Sequence, residues 1–220
     1  MPGSIKIIKR IILSLLIFFG TFNLNAQQTK HTLLIVPYSE NEPVSSSEIS
    51  NHMSYMNSMY DNHQILLSGE LNEIPGYFYI LNTGDKSIAK NWISGDSLIL
   101  KKSRKIEYRP FTLIYEKVCD ENIAHQKNTA YTLILNNTYL TKFNIREAPH
   151  YHREHENFIK SIVKTGNVLL WGIFDNTDGT IILMQGSTNP EIFSLDPMVQ
   201  IGFIVPEVKD ITLSPKIFCK

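Results

Sequence analysis

An excess of either charge is missing from this sequence. Lysine plus arginine number 21, aspartate plus glutamate number 21, and no block of like charge stands out. "KKSRK" (Lys101 to Lys105) is the only basic cluster. Nucleic-acid binding needs a broad basic face with interleaved aromatics, so that class is excluded and the cluster reads as a solvated loop. Cysteine is nearly absent: Cys119 and Cys219 can form one bridge in an oxidising compartment. Their separation along the chain does not say whether their Cα atoms approach. No G-x-S-x-G elbow activates a serine, and neither H-E-x-x-H nor H-x-x-E-H occurs. Beyond Phe22 no apolar run is long enough to span a bilayer.

The earlier apolar run has a different meaning. Lys6, Lys9 and Arg10 precede "IILSLLIFFGTF" (Ile11 to Phe22), and Ala26 supplies a small residue ahead of a cleavage point. A positive n-region, a short h-region and a small residue make a secretory signal, and no cysteine behind it invites a lipid anchor. Residues 1–26 are therefore expected to be removed, leaving a soluble protein that is periplasmic or extracellular.

Repetition organises the remainder. "HMSYMNSMYDNHQILLSG" (His52 to Gly69) aligns without a gap on "HENFIKSIVKTGNVLLWG" (His155 to Gly172). The register continues with small indels, so that "SGDSL" (Ser94 to Leu98) answers "SLDPM" (Ser194 to Met198). "FTLIYEKVC" (Phe111 to Cys119) answers "ITLSPKIFC" (Ile211 to Cys219), and "HTLLIVPY" (His31 to Tyr38) answers "YTLILNNTY" (Tyr131 to Tyr139). A tandem duplication follows, with one copy at 30–119, another at 130–219 and a linker between them. Each copy opens with a β-rich run (Thr32 to Pro37; Thr132 to Asn136). An amphipathic helix comes next, striped by Tyr55, Met56, Met59 and Tyr60 or by Phe158, Ile159, Ile162 and Val163. Gly166 stands where a left-handed cap ends the second helix. Two apolar strands, a shorter helix (Asp85 to Ile93; Pro190 to Phe193) and a last strand (Phe111 to Lys117; Ile211 to Leu213) complete the order βαββαβ. That order predicts an α+β fold of two ferredoxin-like units, each covering the other's exposed sheet face as an intrachain pseudo-dimeric α+β barrel.

The pattern resembles the YCII-related family. The carrying residues are a histidine entering the helix (His155 before Phe158; His52 before Tyr55), "LLxG" strands ending at Gly172 and Gly69, and a later Asp196-Pro197. The first copy departs with Ser97 in place of that proline. The resemblance implies a dimeric α+β barrel and a working pair of helix histidine and turn aspartate: His155 with Asp196, and His52 with Asp96. No cofactor is implied. An imidazole titrates near neutral pH, and a carboxylate on its second nitrogen would fix its tautomer. The expected activity is acid–base chemistry of lyase or isomerase type on a small aromatic or oxo-acid molecule, with the second copy the better equipped. A non-catalytic module binding a small ligand inside the barrel is the alternative, and pairing through an exposed sheet edge is a third.

"HYHREHE" (His150 to Glu156) invites a metal reading. His152 and His155 stand three residues apart, Glu154 and Glu156 fall on other faces, and His150 follows Pro149 into an entry loop. The first copy has no matching histidines. The ligand set is incomplete, and no metal site is expected. Ser58/Ser161, Ser94/Ser194 and Cys119/Cys219 recur as candidate nucleophiles without an activating motif, which favours structural retention.

Overall fold

The computed structural model describes residues 29–38, 44–102, 105–118, 130–138, 146–175, 179–186 and 190–214. The signal-like segment 1–26, the linker 119–129 and both cysteines lie outside the described residues. In chain order the elements are β1 (Lys30–Pro37), α1 (Ser46–Asp61), β2 (Ile65–Leu71), β3 (Gly76–Leu81), α2 (Lys86–Ile93), α3 (Ser97–Lys102) and β4 (Glu107–Glu116). There follow β5 (Tyr131–Thr138), α4 (Ala148–Val163), β6 (Val168–Phe174), β7 (Thr180–Gln185), a 3-10 turn (Pro190–Leu195), α5 (Pro197–Gln200) and β8 (Ile204–Leu213).

Local chemistry explains where the long helices start and stop. Ser45 accepts from the Glu48 amide while Glu48 reaches back to the Ser45 amide, a capping box that satisfies two orphan donors. Pro149 in the first turn of α4 has no amide to leave unpaired. Beyond α4, Gly166 adopts φ 82°, and at the matching place beyond α1 His63 adopts φ 58°. A left-handed reversal thus follows the long helix in both halves, although only one has the residue suited to it.

The eight strands close into a barrel in the order β1-β3-β2-β8-β5-β7-β6-β4, every pair antiparallel. Residues 30–116 contribute β4-β1-β3-β2 and residues 131–213 contribute β8-β5-β7-β6, the same order twice. Even irregularities repeat: the β2–β3 ladder slips between Ile65 and Leu67, and the β6–β7 ladder between Val168 and Leu170. Two seams join the halves. Gly69 faces Leu213 and Leu71 faces Ile211 across one; Gly172 faces Leu113 and Phe174 faces Phe111 across the other.

Alternation along the strands separates two environments. Inward residues, among them Leu33, Phe78, Phe111, Leu133 and Leu183, are wholly buried and fill the barrel. Outward residues carry the helices: Leu34, Ile65 and Leu81 meet Met56, Met59 and Ile93 in the first half, and Ile134, Val168 and Ile182 meet Ile159, Ile162 and Phe193 in the second. Among the described residues no helix is long and apolar enough to cross a membrane.

The expected α+β barrel is present, and its two halves join edge to edge, so no described strand offers a free edge for a partner. The described inward side chains pack against one another inside the barrel. Several expectations need correction. β4 and β8 begin before Phe111 and Ile211, because Pro110 and the charged, proline-containing "VPEVKD" hide their first halves from a pattern that favours apolar alternation. α3 and α5 are additional short helices. Lys101, expected in a loop, lies in α3 and pairs with Glu48 at 2.7 Å.

The seam glycines are sites of close backbone approach. A Cβ at Gly69 would stand 2.3 Å from the Thr212 carbonyl oxygen and 2.6 Å from the Phe78 ring; at Gly172 it would meet the Phe111 ring at 2.4 Å and the Thr112 carbonyl at 3.0 Å. Backbone oxygens held in a ladder cannot move aside. Gly69→Ala and Gly172→Ala are each expected to lower unfolding free energy by about 1–3 kcal/mol in urea titrations; unchanged midpoints would show that the seams open freely.

Candidate functional site

Asp96 ends the turn after α2 and begins α3. Its Oδ1 accepts from the amides of Leu98 and Ile99 at 2.9 and 3.1 Å, the expected work of an N-cap. Its Oδ2 lies 2.5 Å from His52 Nδ1 on α1. Asp196 repeats the arrangement, with Oδ1 accepting from the Met198 amide at 2.9 Å and Oδ2 standing 2.5 Å from His155 Nδ1 on α4. All four side chains are buried. A carboxylate already accepting backbone N–H bonds is an acceptor, so the imidazole Nδ1–H donates to it. In a neutral imidazole so held, the second nitrogen, Nε2, carries the lone pair. Sequence placed these residues in pairs, and the structure brings both pairs together.

The surroundings of the two pairs differ. His52 lines a 410 Å³ cavity outside the barrel, between α1 and the β2–β8 seam, with Met56, Tyr60, Ser68, Tyr77 and Ser214 among its walls. His155 lines a cavity of only 160 Å³, and His155 Nε2 has no partner among the described residues. The half preferred from sequence therefore has the smaller space beside its histidine. Among the exchanges that separate the halves, Ser68 on β2 corresponds to Trp171 on β6, whose indole is buried and borders both the His155 cavity and a more open groove of 630 Å³ against β4.

The first cavity is rich in hydroxyls. Tyr60 Oη and Ser68 Oγ share a hydrogen bond at 2.6 Å, and the His52 ring lies 6.1 Å from that of Tyr77. Burial raises the Tyr60 and Tyr77 hydroxyls above the usual phenol range and raises Tyr79 much further. They remain neutral at physiological pH and serve as donors and acceptors. Sequence reading missed these groups. The signal was present in the repeat alignment, where Tyr60 and Ser68 stand opposite Val163 and Trp171, polar in one copy and apolar in the other.

"HYHREHE" does not converge. His150 and His152 are exposed, and the His152 ring stands edge-on to Phe203, 6.1 Å away. His150, expected in a loop, lies in the first turn of α4 because Pro149 starts the helix there. Among the described residues no three His, Cys, Asp or Glu side chains gather to hold a metal ion. The recurring serines are engaged locally. Ser94, Ser161 and Ser194 each donate at 2.7 Å to the carbonyl three residues earlier, and Ser58 accepts from Asn62. Cys119 and Cys219 lie outside the described residues.

No family model and no curated protein matches the chain. Solved structures do. A candidate monooxygenase from Fusobacterium nucleatum is 13% identical, with TM-score 0.53, covering 84% of this chain and 92% of its own. A chlorite dismutase mutant from Candidatus Nitrospira defluvii is 9% identical, with TM-score 0.52 and the same coverages. A heme-binding protein from Thermus thermophilus is 10% identical, with TM-score 0.51, covering 84% and 91%. Identities this low establish the fold alone: this chain is an α+β barrel of the kind seen in monooxygenase-like and chlorite dismutase-like proteins.

Each His–Asp pair is expected to act as a unit. In urea denaturation, His52→Ala combined with Asp96→Ala should be non-additive by about 0.5–3 kcal/mol, whereas His52→Ala with Asp196→Ala should add within about 0.5 kcal/mol.

Proposed function

We propose that the chain is an exported, YCII-like tandem of two ferredoxin-like units, at 30–119 and 130–219, whose first unit performs acid–base chemistry of isomerase or lyase type on a small organic molecule. The carrying observation is that His52, its Nδ1 held by the buried Asp96, stands in the wall of a 410 Å³ cavity. That volume falls within the range that buries a small ligand, ~300–1,000 Å³. The pair supplies what a proton shuttle needs. His52 Nε2 takes a proton from a C–H or O–H of the substrate, Asp96 stabilises the imidazolium, and the imidazolium, which exchanges its proton with water, returns one at a neighbouring atom. Atoms and charge balance without a second reactant. His155 and Asp196 share the chemistry but face a cavity too small for the same substrate, which makes the second unit a support.

Haem, which one similar structure is named for binding, does not suit the cavity beside His52, which has no lysine or arginine among its described lining residues to meet two propionates. A second reading has its own observation. Both aspartates cap a short helix with one oxygen and tie the long helix with the other, so each pair is also a latch between helices. On that reading the cavity binds its ligand without turnover.

Deuterium exchange separates the two. A panel of small aromatic ketones and enols in D₂O, followed by proton NMR, should reveal catalysed exchange beside a carbonyl. His52→Gln is expected to slow it about 10²–10⁴-fold, while His150→Ala, far from the pair, leaves it unchanged. Exchange that survives His52→Gln, or no exchange with a folded protein, favours the binding module.

A further inference from the structure

The two copies are related closely enough for one to describe what is missing from the other. Ser68 and Trp171 occupy the same place, after the shared slip in the ladder and before the seam glycines Gly69 and Gly172. In the second copy the indole divides the space under the helix. His155 and Thr180 lie on one side, and Lys160 and Ile114 on the other. Their counterparts in the first copy are His52 and Tyr77, and Asn57 and Ser214, and these line a single continuous cavity. The first copy therefore has an opening where the second has a ring.

We propose that this cavity takes an uncharged, flat, bicyclic aromatic molecule carrying a hydrogen-bond donor, matching the indole that fills the equivalent space. The proposal rests on the reading of the cavity as a ligand site and names the class of ligand. Shape follows from the repeat: the same helix and strands that close around Trp171 stand open around Ser68. The walls suit an aromatic face, because Met53 and Met56 offer polarizable thioethers beside His52 and Tyr77. Polarity follows from what changed. Val163 becomes Tyr60, whose hydroxyl lies 2.6 Å from Ser68 Oγ and also bonds Ser214, so a cluster of hydroxyls stands where the second copy has apolar side chains. In the second copy the Trp171 Nε1–H has no partner among the described residues.

Charge decides against an organic anion, including the oxo-acids considered from sequence. Glu70 lines the cavity and Asp96 lies behind His52, while no described lining residue is a lysine or arginine. A carboxylate brought here would lose water without gaining a counter-ion.

Calorimetric titration with 2-naphthol, indole and 2-naphthoate tests the assignment in the wild type and two variants. The neutral bicycles should bind with one site per chain, and the carboxylate at least tenfold more weakly. Ser68→Trp, which places the second copy's ring in the first copy, should abolish binding. Trp171→Ser should open the second groove and raise the stoichiometry to two; if that variant fails to fold by circular dichroism, Ser68→Trp decides alone. Equal affinity for naphthol and naphthoate, both lost in Ser68→Trp, overturns the ligand class but leaves the cavity as the site. Binding that persists in Ser68→Trp, or no binding of either neutral bicycle, overturns the proposal together with its site.

Discussion

Backbone pairing across the two seams is the constraint on which the rest depends. A four-stranded sheet covered by helices on one side leaves its other face and both edges bare. Here β2 meets β8 and β6 meets β4, and four edges vanish at once. The joining is self-complementary, as in a two-fold interface: what one half offers through Gly69 and Leu71, the other offers through Gly172 and Phe174. Glycine is required because a ring from the barrel interior and a carbonyl from the opposing strand both press on that position. Closure buries Phe78 and Phe111 inside, and it also brings Ser214 from the end of the second half against the cavity of the first. The site is thus completed by the same contact that completes the fold.

Within that frame a buried carboxylate sets the helices. One oxygen of Asp96 or Asp196 satisfies amides that a helix start leaves open, and the other holds an imidazole on the long helix. Burying an acidic group is unfavourable unless its lone pairs are matched, and both aspartates meet that requirement. Stability and chemistry draw on the same hydrogen bonds, which is why retention of the pair in both copies does not by itself distinguish a latch from a catalyst. The spaces beside the pairs carry that distinction.

Much of this was legible in the sequence. The gapless match of His52–Gly69 with His155–Gly172 located the long helices and the strands after them, and the recurrence of Asp96 and Asp196 supplied the pairs. Closure was harder to see. Seam pairing is non-local, and "YRP" and "VPEVKD" carry the proline and charge that usually argue against a strand, yet both lie in ladders. The cavity was hidden for another reason. The alignment was read for what the copies share, whereas Ser68 and Trp171 matter because they differ.

That difference has an energetic direction. An indole buried in the cluster of Ile159, Ile162 and Phe193 removes apolar surface from water, a gain of about 1.5–3 kcal/mol for a large side chain. Serine at the equivalent place forgoes that gain and keeps hydroxyls in a space able to hold a ligand. A symmetric dimer of one unit has to carry the same residue at both sites, open or closed, whereas two halves in one chain are free of that restriction. One half can then fill its groove and support the barrel, while the other keeps the cavity that a binding or catalytic role needs, at a cost in stability that the closed half offsets.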